Sequence, residues 1–217
     1  MRRVLILGGT AEARELAAQL AARADLAVTL SLAGRTRSPA PQPVPVRIGG
    51  FGGVQGLADY LSNERIAALI DATHPYAATI SANAARAAQR SHTPHMALRR
   101  PPWVCCDGDR WIEASDVADA AASIGSAPRR VFVALGRKEL APLVRAPQHH
   151  YLIRSVDPVD PPLAVPHAAY IIGRGPFLEC DERALLEQHR IEIIIAKNSG
   201  GQASYGKIAA ARALACR

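Results

Sequence analysis

Two parallel-sheet α/β domains are what this 217-residue sequence predicts. Three observations predict them. Short apolar runs alternate with Ala/Leu-rich stretches of helical length, the pattern of strands joined by crossover helices. The alternation pauses once, at the "RRPPW" of Arg99–Trp103, and then resumes. The unusual residues fall where apolar runs end, at the carboxyl ends of strands, where open α/β sheets bind ligands. The expected boundaries are residues 1–99 and 100–217, with a hinge at the proline pair, and two small doubly wound domains facing each other.

The elements follow in order. Val4–Leu7 is a strand because its four apolar residues run straight into Gly8-Gly9. Ala11–Arg23 is a helix and Ala27–Leu32 the second strand. "RSPAPQPVP" places four prolines in alternate positions, so it is neither helix nor central strand. Val46–Ile48 is a short strand, Val54–Asn63 a helix and Ala67–Asp71 a strand. Pro75 suits a helix start, and that helix runs to Arg90. His95–Leu98 closes the first half. In the second half Trp111–Ala114 reads as a strand and Asp116–Ile124 as a helix capped by Ser115. Arg130–Leu135 is a strand into "GRKEL", which opens a helix. Tyr151–Ser155 and Ala169–Ile172 are strands, Asp181–His189 a helix, Ile191–Ala196 a strand and Ser204–Leu214 the last helix.

Composition narrows the function. Hydrophobic residues at 49% with 21% charged are ordinary for a globular chain. The net charge of +7 comes from 26 basic and 19 acidic residues. Such a surface suits nucleic acid, anionic lipid or an anionic small molecule, although genomic base composition also accounts for an Arg excess. Nucleic acid is disfavoured, because there is no dense Lys/Arg tract, no stacking aromatic set and no zinc-finger signature. The four cysteines (Cys105, Cys106, Cys180 and Cys216) form no CxxC pair, so no metal site is expected. "MRRVLILGG" has too short an apolar run for a signal peptide, and nothing approaches a membrane span. A cytoplasmic protein with no membrane partner is the expectation.

Four groups of residues carry candidate chemistry. In "LILGGTAEAREL", Gly8 and Gly9 let the backbone approach a phosphate at the positive end of the next helix. Thr10 stands where the usual fingerprint has its second Gly, and Ala13 where it has its third; a plain tight turn is the bland alternative. The loop "LSLAGRTR" has no acid to hold ribose hydroxyls. It offers Ser31, Arg35, Thr36 and Arg37, which favours the 2′-phosphate of NADP(H). Thr73, His74 and Tyr76, with Pro75 locking the backbone between them, would lie near the nicotinamide end of a dinucleotide. The last group is in the second half: Gly136, Arg137 and Lys138; Arg174 and Gly175; Lys197, Asn198, Ser199 and Gly200, with Lys207 beyond. Each combines glycine with a cation at a strand's end, suited to carboxylates or phosphates.

With these pieces in place the chain resembles the precorrin-6A reductase family of cobalamin biosynthesis. The resemblance is carried by "ILGGTAEAREL", "DATHPYA", "GRK", "IIGRGPF" and "AKNSGG…YGKIAAARAL", which span nearly the whole chain. It implies two Rossmann-like parallel-sheet domains facing each other across a cleft, and NADPH reducing one double bond of a partly built corrin macrocycle to give precorrin-6B. It also implies cofactor binding mainly in the first domain, through Gly8, Gly9, Thr10, Glu12, Ser31, Arg35 and Thr73. His74 and Tyr76 would stand at the reacting centre. The polyanionic tetrapyrrole would meet the cationic loops, and its hand-over could involve contacts with other enzymes of the pathway. Similar proteins carry a further short strand after the final helix, which "ALACR" lacks, so the second sheet is expected to be one strand short.

Two other readings compete. A sugar or alcohol dehydrogenase of the short-chain type needs a Tyr-x-x-x-Lys pair, and none of the five tyrosines has Lys four positions later. A non-catalytic NADP(H) sensor explains the Gly8 loop but leaves "KNSGG" and "GRGPF" without a purpose.

Overall fold

The computed structural model describes residues 1–34, 36 and 39–216. The chain divides into two compact units, Met1–Arg100 and Pro101–Arg217.

The first unit is a five-stranded sheet in the order β3-β2-β1-β4-β5, built from β1 (Arg2–Leu7), β2 (Leu26–Leu32), β3 (Val46–Ile48), β4 (Ile66–Asp71) and β5 (His95–Ala97). Every pair is parallel. Strand residues point alternately to the two faces. Leu5, Leu7 and Leu69 therefore pack on α2 (Gly53–Asn63) and α3 (Ala78–Arg90), through Leu57, Leu61, Ala84 and Ala87. Val4, Ile6, Val28 and Leu30 pack on α1 (Ala11–Ala21), through Ala13 and Ala17. The small residues of α1 and α3 let helix and sheet approach closely.

The second unit repeats the plan with four parallel strands in the order β8-β7-β6-β9. They are β6 (Arg130–Ala134), β7 (His150–Ser155), β8 (Ala168–Ile172) and β9 (Ile193–Ala196). One face of the sheet (Val131, Val133, Tyr151, Ile153, Ile193 and Ile195) packs on α4 (Val117–Ser123) and on Leu140 and Leu143. The other face, with Phe132 and Leu152, meets α5 (Glu179–Gln188) and α6 (Gly206–Ala213). Among the described residues no helix is long and apolar enough to cross a membrane.

Four expectations are corrected. Trp111–Ala114 forms no strand; four residues that include an acid bury little, and Ile112 stays 50% exposed. Asp116, not Ser115, caps α4 by accepting from Asp119 N at 2.9 Å. "GRKEL" opens two 3₁₀ turns, Arg137–Glu139 and Ala141–Arg145, instead of an α-helix. Pro142 would sit inside such a helix and remove its backbone donor. Finally, α3 starts at Ala78, not at Pro75, because His74–Ala77 closes as a turn, with Ala77 N donating to His74 O at 2.8 Å.

The amino end of β7 carries a pH-sensitive element. His149 is fully buried, edge-on to Tyr151. Burial pushes its pKa down, the nearby Arg129 charge adds to this, and the proximity of the Gly125 carbonyl works the other way without reversing it. The folded pKa lies below the unfolded value of about 6.5. The stability contributed by the neutral ring is thus present above that value and lost as pH falls through the folded pKa. Urea unfolding between pH 7 and 5 should show a falling midpoint, and His149→Phe should flatten that slope. An equal slope in the variant would remove His149 from the account.

Candidate functional site

In both sheets the strand order reverses beside the first strand of the unit, between β1 and β4 and between β6 and β9. Loops leaving such neighbours part to opposite faces and open a crevice. The candidate residues cluster at these two points.

In the first unit the β1–α1 loop is shaped by two glycines with different jobs. A Cβ on Gly8 would lie 2.6 Å from Leu30 Cδ1, so Gly8 is required by packing. Gly9 has φ +116° and nothing within 4 Å of where a Cβ would stand. It is the position that leaves backbone open to a ligand. Thr10 caps α1, accepting from Ala13 N at 3.1 Å, and donates to Ala72 O at 2.9 Å. One side chain thereby pins the β1 loop to the end of β4.

Asp71 ends β4 and is fully buried. Its Oδ1 accepts from Thr73 N at 3.1 Å and Thr73 Oγ1 at 2.6 Å, and its Oδ2 accepts from Arg99 Nη2 at 2.6 Å. Arg99 also donates to Ser81 Oγ at 3.2 Å. Burial alone would raise the carboxyl pKa, but Arg99, Thr73 and Ser81 outweigh it and hold the group at about 2. Asp71 is therefore an ionised brace at neutral pH. It fixes the start of the Ala72–Ala77 turn, in which His74 Nδ1 accepts from Tyr76 N at 3.2 Å. A nitrogen that accepts carries no proton, so the neutral ring carries its hydrogen on Nε2. Arg100 Nη1 meets both oxygens of Glu12, at 2.9 and 2.8 Å. Burial raises the Glu12 pKa, and the Arg100 contact overrides it, so the net shift is downward. Thr10, Ala72, Thr73, Pro75, Leu98 and the Glu12–Arg100 pair line one concave surface with Arg99.

In the second unit Lys197, just past β9, forms an ion pair with Glu139, which also accepts from Gly136 N at 3.1 Å. This pair bridges the loops on the two sides of the β6–β9 reversal. Gly200 and Gly201 both have positive φ, +64° and +75°. Ser199 is buried and Arg174 exposed. The "GRGPF" loop rests on Arg154, whose guanidinium lies 3.6 Å from the Phe177 ring centroid and pairs with Glu182.

Several expected site residues have other work. Glu12 is taken by Arg100, and Thr73 turns its hydroxyl onto Asp71. Asn198 spends its amide on Trp103, donating to Trp103 O at 2.8 Å and accepting from Trp103 N at 2.7 Å. Lys207 is buried, donating to Ser204 O at 2.6 Å, with Nζ 4.6 Å from the Trp103 ring centroid. Gly175 is a packing glycine, since a Cβ there would lie 3.1 Å from Ala203 O. Arg99 is tied to Asp71 within the first unit, and Trp103 to the 198–201 loop within the second. Arg35 and Arg37 lie outside the described residues. Asp71, Arg99, Arg100 and Trp103 were missed. The signals for them were an acid closing an apolar strand and the paired arginines of "RRPPW".

Parallel sheets in this order, with glycine loops at the points of reversal, define a two-unit α/β protein of the Rossmann-like class. The family model for precorrin-6x reductase CbiJ/CobK matches residues 3–217. The chain belongs to that family, and so is an oxidoreductase of corrin, hence cobalamin, biosynthesis. A precorrin-6A reductase from a Sinorhizobium species is 58% identical over 212 residues, covering 98% of this chain and 81% of that one. One from Rhodobacter capsulatus is 49% identical over 214 residues, covering 99% and 85%. A solved structure of CobK precorrin-6A reductase superposes with TM-score 0.96 at 47% identity, covering 100% of this chain and 86% of that one.

Proposed function

We propose that this protein is an NADPH-dependent precorrin-6A reductase working in the cytoplasm. The observation that carries the reading is the open Gly9 backbone at the capped N-terminus of α1, beside the braced turn at the end of β4, in a chain of this family. The first unit suits a dinucleotide. Gly9 and the positive end of α1 are built for a diphosphate. Arg100 offsets the charge of Glu12, which would otherwise repel it. Ala33 and Gly34, just beyond β2, bring no carboxylate to the ribose, which favours a 2′-phosphate held by Ser31 and Arg35.

When bound, NADPH supplies the hydride that reduces one double bond of the macrocycle. The protein positions the reactants and excludes water. The Thr73–Tyr76 turn, braced by Asp71, holds the nicotinamide end, with Thr73 acting from behind. Hydride on one ring carbon must be matched by a proton on its neighbour. His74, whose Nδ1 accepts from Tyr76 N, serves first to position the ligand, and His74, Tyr76 or water delivers the proton. In the second unit Gly136, Arg137, Lys138, Arg174, Lys197, Ser199 and Gly200 receive the acetate and propionate arms. Asn198, Gly175 and Lys207 shape these loops.

The test is optical. Purified protein mixed with precorrin-6A should change the tetrapyrrole spectrum on adding NADPH, and far more slowly with NADH. A charge-assisted hydrogen bond is worth about 1.5–3 kcal/mol. Arg35→Ala should therefore weaken NADPH by about 10–100-fold and leave NADH nearly unchanged. A spectrum indifferent to NADPH would sink the reading, and equal losses for both cofactors would show that Arg35 does not read the phosphate.

A further inference from the structure

Trp103 lies outside every glycine loop, yet its contacts converge on the last of them. Its peptide is paired on both sides with the Asn198 amide, at 2.7 and 2.8 Å. Its indole Nε1 donates to Gly201 O at 2.9 Å. Lys207 Nζ lies 4.6 Å from its ring centroid, and the Tyr205 ring 6.1 Å away. Tyr205 is held in turn by Arg212, whose Nη2 donates to its hydroxyl at 3.0 Å, while Arg212 pairs with Asp109 at 2.9 Å. Residues 198, 201, 205 and 207 thus all meet at one tryptophan.

The loop needs such an anchor. Two successive glycines at positive φ give it no stiffness of its own. The Asn198 side chain imitates a neighbouring strand, offering one donor and one acceptor to the C=O and N–H of a single residue. Lys197 and Ser199 flank it, so a fixed Asn198 sets where both of them stand. Ser199 N donates to Lys197 O at 2.8 Å, which tightens the same corner.

We propose that Trp103 is a positioning residue of the substrate site: it pre-orders residues 197–201 to receive a carboxylate arm of the macrocycle. This rests on the assignment of that loop to the substrate. Without the anchor, the ligand must order the loop itself, which weakens binding without touching the reacting carbons.

The experiment compares Trp103→Phe, Asn198→Ala and Lys197→Ala in the whole protein, with NADPH affinity and thermal unfolding measured beside steady-state kinetics. Trp103→Phe keeps the ring and the paired peptide but loses the indole donor. Asn198→Ala loses both links to the peptide. Each should raise the KM for precorrin-6A roughly tenfold, with kcat within about twofold and NADPH affinity unchanged. A tryptophan that merely stabilised the fold would lower the unfolding temperature and leave KM alone, which would overturn the proposal. Raised KM in Lys197→Ala with normal KM in the other two overturns the role of Trp103 only. Unchanged KM in all three overturns the loop's assignment as well.

Discussion

Glu182→Gln should destabilise the second unit by about 3–5 kcal/mol, the usual cost of leaving one member of a buried ion pair without its charge. Arg154 and Glu182 are 8% and 3% exposed at their side chains and meet as a fork, with Nη2 to Oε2 at 2.8 Å. The guanidinium is held between Phe132, at 4.8 Å, and Phe177, at 3.6 Å. No water can replace the missing charge there. Both tryptophans, Trp103 and Trp111, lie in the second unit, so tryptophan fluorescence in urea follows that unit's unfolding. The double variant Arg154→Met/Glu182→Leu should recover much of the loss, because well-packed apolar residues replace such pairs at little cost. If Glu182→Gln unfolds at the same urea concentration as the parent, Arg154 is not committed to Glu182.

Gly9→Val should abolish measurable NADPH binding while leaving the chain folded. Valine at φ +116° is strained by about 1–3 kcal/mol, and its side chain fills the space through which a diphosphate reaches the backbone. Two lost charge-assisted hydrogen bonds at about 1.5–3 kcal/mol each predict a drop of about a hundredfold or more. Gly8→Val is the contrasting case. A Cβ there meets Leu30 at 2.6 Å, so its effect should appear in thermal unfolding first. NADPH titration by fluorescence, beside circular dichroism melting, separates the two. A Gly9→Val protein that binds NADPH normally would place the dinucleotide elsewhere.

The difference between these glycines shows what could be read before the fold was known. "LILGG" announces a strand and a tight turn, and the apolar alternation gives both sheets in order. It cannot say that one glycine serves packing and its neighbour serves access, because Leu30 comes from another strand. Asp71 closes an apolar run, a pattern the sequence shows without saying what the acid holds. Its partner Arg99 is 28 residues away and looked like part of a hinge. Arg154 and Glu182, also 28 residues apart, carry no local signal of their pairing, and only the packing of β7 on α5 joins them. Lys207 stands out in the sequence because lysines are rare in this chain; the tryptophan it lies against comes over a hundred residues earlier. Trp111–Ala114 failed for the opposite reason. Its local pattern suited a strand, and no sheet edge pairs with it. Local pattern thus carried the scaffold and the loops, whereas the braces that hold the loops are long-range pairs.

We propose that NADPH delivers hydride to the macrocycle at this protein. It is tested most directly by running the reaction with NADPH deuterated at the transferring position of its nicotinamide ring and weighing the product. Reduction by this route should place one deuterium in precorrin-6B, on carbon, and retain it in ordinary water. A product formed at full rate without deuterium would contradict the account.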